Sequence, residues 1–172
     1  SSLRLVVAPT YVPPDPWDVY LEQTQKYRIL ESPHPYLSNM NETETIELQG
    51  VDQIAILFTE DTSLETTYDY IHLKLPDGSF ATSEEKLSGG RNGTTKNYPG
   101  CGGRAPLVVD GNSIDFHFFS DASNEDWGYK CLIIDASVLS AANTGRESIA
   151  MAGKVYDRKQ ARDIFPFIEN RT

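Results

Sequence analysis

Cysteine is scarce in this chain: two residues, Cys101 and Cys131, among 172. A disulfide-stapled secreted scaffold needs more than that. One bridge or two free thiols can both be written. Free thiols are the expectation, because Cys101 falls in a glycine-rich loop and Cys131 in the last strand, whereas a bridge demands Cα atoms within about 7 Å. Long apolar runs are also missing. Nothing approaches the ~20 residues that span a bilayer, and the opening "SSLRLVVAP" is too short and too weakly apolar for a signal peptide, as it would be in a mature or excised fragment. Positive charge is in short supply, with 15 Lys and Arg against 25 Asp and Glu and a formal charge of −10. That excludes nucleic acid and anionic membrane as main partners and suits cations, basic peptides or Lys and Arg side chains.

Catalytic signatures are absent as well. There is no GxSxG elbow, no CxxC and no GxxxxGK[ST] phosphate loop. The histidines His34, His72 and His117 lie far apart in the chain and in no zinc-type spacing, so each reads as a strand or turn residue. No nucleophile stands near a base in sequence, and the chain reads as non-enzymatic.

What is present is β-structure. "KYRIL", "TIEL", "DQIAILFT", "YDYIHLKL", "PLVV", "SIDFHFF" and "GYKCLII" are short β-prone runs separated by turn-rich segments. Alternation puts Ile54, Ile56 and Phe58 on one face, and likewise Ile114, Phe116 and Phe118. Six or seven such strands predict an all-β, antiparallel sandwich. Ahead of them, "DPWDVYLEQTQ" predicts a short helix with Asp15 as N-cap and Pro16 at its first position, its Trp17, Tyr20 and Leu21 docking on the domain's own core. The six glycines of "SGGRNGTTKNYPGCGG" (88–103) predict a mobile loop. The small-residue stretch after Ile134 predicts a linker or extension, and "KVYDRKQARDIF" a terminal helix stopped at Pro166. The resulting division is 1–25 as an N-terminal extension, 26–135 as the sandwich and 136–172 as a C-terminal extension. Sequons at Asn41, Asn92 and Asn170 are a mild excess over the about one expected by chance.

Two acidic patterns bear on function. "DTSLETTYDYIH" opens like an EF-hand loop with Asp61, Ser63 and Glu65. It then places Thr66 where glycine is required and His72 where a bidentate Glu is required, so the EF-hand is excluded. Asp69, however, shares parity with Ile71, Leu73 and Leu75 and points inward. Burying an unpaired carboxylate costs several kcal/mol. Either backbone amides satisfy it, or a cation does, shared with Asp61 and Asp121. Two carboxylates ~4 Å apart at a surface-like dielectric repel by about 4 kcal/mol, which a divalent ion would reverse.

"ESPHPYLSNMN", then "IAILFTEDTSLETTYDYIHL", then "CGGRAPLVVDGNSIDFHFFSDASNEDWGYKCLI" together resemble the CUB domain family, over about Glu31 to Ile134. "FFSDASNEDWGY" is the most specific element, "ESPHPY" the loosest. The resemblance implies a CUB-like jelly-roll sandwich. It also implies a calcium ion at one end, held by Asp61 (or Glu60), Asp69 and Asp121, with Ser123 and Asn124 around it and the Tyr36 hydroxyl as an additional group. The family's cysteines are mostly missing: Cys101 matches one position, but its usual partner position is Thr67. The chain is thus similar to the cysteine-poor variety found in large intracellular proteins, including ubiquitin-ligase-type scaffolds. This implies an intracellular setting, with a secreted one as the alternative. The expected function is non-catalytic protein binding, calcium-dependent through an acidic edge that accepts a basic side chain. The rivals are a carbohydrate-binding sandwich using Trp127 and Tyr129, and a structural block in a large assembly.

Overall fold

A computed structural model of the chain describes residues 10, 11 and 14–140. The expected terminal helix at 154–165 and the sequon at Asn170 lie outside the described residues. Among the described residues, seven strands form two antiparallel sheets: β1 (Tyr27–Glu31), β2 (Asn41–Glu47), β3 (Gln53–Phe58), β4 (Tyr70–Lys74), β5 (Leu107–Asp110), β6 (Ser113–Phe119) and β7 (Lys130–Asp135). One sheet has the order β1-β7-β3-β5, the other β2-β6-β4. The chain is an all-β sandwich, as its alternation predicts.

The two sheets differ in what covers them. In β2-β6-β4 one face is buried and the other meets solvent, which is why β6 alternates residue by residue. Ile114, Phe116 and Phe118 point inward with Ile71 and Leu73, against Ile54, Ile56, Phe58, Cys131 and Ile133 of the opposing sheet. The four-stranded sheet is buried on both faces at its central strands, β3 and β7. Its outer side carries Ala55, Leu57, Leu132 and Ile134 under Trp17, Ala136 and Val138. This explains why "IAILF" and "CLII" read as continuous apolar runs rather than alternating ones.

The helix is a single turn, α1 (Asp18–Leu21). Asp15 acts at its start, though not as the cap itself: its Oδ1 accepts the Trp17 amide at 2.8 Å. Trp17 docks on the outer cluster, with Tyr20 and Leu21 packed partly against it. Two expectations need correction. Segment 88–103 is built into the sandwich rather than loose: Tyr98 and Cys101 are in the core, and Tyr98 Oη donates to Gly89 O at 2.8 Å. The start of the supposed linker also packs, since Ala136 and Val138 are buried. Gly128 takes a positive φ of 105° beside the entry to β7, and a Cβ there would collide with Ser32 Oγ.

Both cysteines are free and buried. Burial pushes the Cys101 thiol up to about 11 and the Cys131 thiol well above its ordinary value. A thiol reagent is therefore expected to label neither residue in the native protein and both after unfolding without reductant; protection of both in the unfolded, unreduced chain would show a bridge. Trp17→Ala removes the ring that seals the outer cluster and should cost about 3–5 kcal/mol in a denaturant titration. A loss below about 1 kcal/mol would detach α1 from the energetics of the sheet.

Candidate functional site

The loops at one end of the sandwich meet around Asp69, which sits just before β4 and is 0% exposed. Tyr36, from the β1–β2 connection, donates its hydroxyl to Asp69 Oδ2 at 2.6 Å and accepts the Glu65 amide at 3.1 Å. The Asp121 amide, just after β6, donates to Asp69 Oδ1 at 2.7 Å. Three loops distant in sequence thus converge on one carboxyl group.

Between Glu65 and Asp69 the chain makes a tight excursion. The Asp69 amide returns to Glu65 O at 3.2 Å, and Thr67 sits at φ 75°, a costly conformation for a β-branched residue. Ser88 holds it there: its Oγ accepts the Thr67 amide at 2.9 Å and lies 2.6 Å from Asp69 O and 3.0 Å from Glu65 O. The excursion swings the Glu65 side chain back over Asp69. One carboxylate oxygen each from Glu65, Asp69 and Asp121 then lies within 4.8 Å of the others.

Burial is the main cause that raises the Asp69 pKa. The Tyr36 hydroxyl and the Asp121 amide oppose it, while the charges of Asp121 and Glu65 add to it. The Tyr36 hydroxyl is raised by its own burial and by donating to Asp69. On Glu65, Oε1 accepts Asn124 Nδ2 at 2.9 Å, but Oε2 is buried with no hydrogen-bond partner. A buried carboxylate oxygen without a donor is costly. Oxygens bound to one calcium ion at 2.3–2.6 Å are at most about 5 Å apart, so these three can share one ion. The donors are hard carboxylate oxygens, suited to calcium or magnesium rather than softer metals.

The expected residues distribute as follows. Asp69, Asp121 and Tyr36 come together. Asn124 orients Glu65, and the Ser123 amide donates to Asp121 Oδ1 at 3.1 Å. Asp61 and Glu60 do not join them. Ser63 pairs with Gly128 and Leu64 with Gly90, which pins the chain downstream of Asp61. Lys96 Nζ closes the turn on Glu60 O and Thr62 O, and the Glu60 carboxylate takes the Gly102 amide instead. Glu65 stands where Asp61 was expected; the spacing of four residues to Asp69, with a turn between, was the available signal.

Asp126, also in the acidic stretch, is tied to Ser63 Oγ at 2.5 Å. Tyr129 is not ligand-facing: it is 8% exposed and packs on Phe116 and Phe118 with ring centroids 5.0 and 5.1 Å away, sharing the inward parity of Cys131. Trp127 is half-buried and stacks on His34 at 3.8 Å. The histidines are not all apart either, since His72 and His117 pair directly across β4 and β6.

No family model matches the chain. Among curated proteins it is 31% identical over 100 residues to Zinc finger ZZ-type and EF-hand domain-containing protein 1 of Mus musculus, covering 58% of this chain. To the protein of the same name in Homo sapiens it is 25% identical over 126 residues, covering 73%. It spans only 3% and 4% of those two proteins. Among solved structures it aligns with the MASP-1 CUB2 domain bound to Ca2+, at 22% identity and TM-score 0.42, over 64% of this chain and 94% of that one. It also aligns with the CUB1-EGF-CUB2 domain of human MASP-1/3, at 18% and 0.46, over 64% and 41%. Among the described residues, no helix is long and apolar enough to cross a membrane.

Tyr36→Phe tests how much the loops depend on the Asp69 contact. It removes the donor to Oδ2 while keeping the ring against Phe118. The expected loss is about 1.5–3 kcal/mol, the range for a hydrogen bond to a charged group. An unchanged denaturation midpoint would show that the hydroxyl carries no net stability.

Proposed function

We propose that the chain is a non-catalytic, protein-binding module of CUB type whose Glu65, Asp69 and Asp121 hold calcium. The observation that carries this reading is the buried, unpartnered Glu65 Oε2 beside two further carboxylates. The motif resemblance of "YDY" and "FFSDASN" supports it from the sequence side. Bound there, calcium would neutralise three like charges and brace the loops that carry them.

The acidic character left at this end, with the chain's charge of −10, suits a partner that offers a lysine or arginine. Leu37 and Tyr68, 62% and 63% exposed, flank the site in sequence next to Tyr36 and Asp69 and offer apolar contact beside the charge. Two buried free thiols support a reducing, intracellular setting.

Isothermal titration of the chelated protein with calcium, run beside thermal melts, tests the site. One-site heat is expected, with stabilisation of about 2.7 kcal/mol at a hundredfold excess over Kd. Glu65→Gln and Asp121→Ala should lose both signals, and Asp61→Ala should keep them. Neither heat nor a melting shift in the wild type would leave the cluster as a hydrogen-bonded network that holds no ion.

A further inference from the structure

The solvent-facing side of β2-β6-β4 carries a second group of metal-ligating side chains, of a different chemical kind. His72 and His117 are direct cross-strand partners, and both are half-buried. Their Nδ1 atoms lie 3.4 Å apart. That is longer than the 2.7–3.2 Å usual for a hydrogen bond donated by nitrogen. It does match the separation of two ligand nitrogens on one tetrahedral zinc, about 3.3–3.4 Å for Zn–N bonds of about 2.0–2.1 Å.

The tautomer is also arranged. His117 Nε2 sits 2.7 Å from Asn41 Oδ1, on neighbouring β2. An amide oxygen only accepts, so the ring donates its N–H there and leaves Nδ1 as an acceptor lone pair facing His72 Nδ1, in a long contact that a metal ion would replace. Fixing the far ring nitrogen in this way is how metal-binding imidazoles are oriented.

The surroundings favour neutral imidazole at both positions, the form that ligates zinc. Burial lowers the pKa of each ring, and the charges of Lys74 and Lys86 add to this at His72 and that of Lys74 at His117. Lys74 Nζ lies over the Phe80 ring at 5.0 Å, while Lys86 Nζ lies over the Tyr70 ring at 4.4 Å and donates to Thr67 O at 3.2 Å. Tyr70 and Phe80 also pack against His72, at 4.5 and 5.1 Å between ring centroids, which limits the freedom of the imidazole.

We propose that His72 and His117 form a zinc-binding site on the open face of the three-stranded sheet, through their Nδ1 atoms and with Asn41 as the positioning residue. Imidazole nitrogen selects zinc and its first-row neighbours over calcium, so this site is chemically distinct from the carboxylate cluster. Two protein ligands leave two tetrahedral positions for water or for a donor from a partner.

The test is titration of the protein with zinc chloride at neutral pH in saturating calcium, followed by calorimetry and by the ring-nitrogen NMR signals of the three histidines. One-to-one binding at micromolar zinc is expected, with shifts at Nδ1 of His72 and His117. His34 is the internal control. Its Nδ1 faces Trp127 O at 2.5 Å and its Nε2 faces Glu31 at 2.6 Å, so its signals should stay in place. His72→Gln and His117→Gln should each weaken zinc binding at least tenfold, and Asn41→Ala by about tenfold through the loss of ring orientation. All three positions lie on a solvent-facing side of the sheet, and the thermal melt of each variant without metal checks that it folds. Zinc binding that persists at full strength in both glutamine variants, ring signals that move only at His34, or no binding below millimolar zinc would each overturn the proposal.

Discussion

The Asp69 carboxylate is the contact on which one whole end of the sandwich is organised. It is fully enclosed, and each of its oxygens is held by a donor from a different loop, Tyr36 from before β2 and the Asp121 amide from after β6. An enclosed carboxylate costs several kcal/mol unless such donors meet it, so neither loop can relax without exposing that cost. The geometry of the other groups follows from this knot. The Asp121 carbonyl receives Asn39, the Ser120 hydroxyl reaches Leu37 O, and Ser88 clasps the strained turn at Thr67. The gathering of Glu65, Asp69 and Asp121 is therefore a product of loop packing as much as of any ion.

The strand leading from that knot presents two chemistries on opposite faces. Asp69 and Ile71 point inward and His72 outward, so a carboxylate site and an imidazole pair stand three residues apart yet on different sides of one sheet. The difference between the sheets makes this feasible. β2-β6-β4 leaves one face open to solvent, whereas in the four-stranded sheet the central strands β3 and β7 are covered on both sides.

Much of this was legible in the sequence, for physical reasons that can be named. β6 reads directly because one of its faces is wet and its alternation is clean. The inward direction of Asp69 follows from the same period-two rule applied one residue before β4. The continuous apolar runs of β3 and β7 signalled burial on both faces but could not say what provides the second cover; that is Trp17 from one flank and Ala136 and Val138 from the other. Glu65 was missed because its four-residue spacing to Asp69 tells of a reach only once the turn between them is known, and Ser88, twenty or so residues away, holds that turn. The histidine pair was missed because register between β4 and β6 is a tertiary fact: 45 residues separate the two rings until the strands are laid side by side. Tyr129 drew attention as an aromatic near a glycine, when its parity with Cys131 already placed it inside.

The outer cluster has a consequence for how the sandwich holds together. Trp17 on the incoming segment and Val138 on the outgoing one pack over the same side of the same sheet. Residues from both flanks of the sandwich thus close over one side of one sheet, as two halves of a single cover. Such a cover works as a clasp: releasing either half wets the apolar outer side of β3 and β7, so the two flanks stand or fall together.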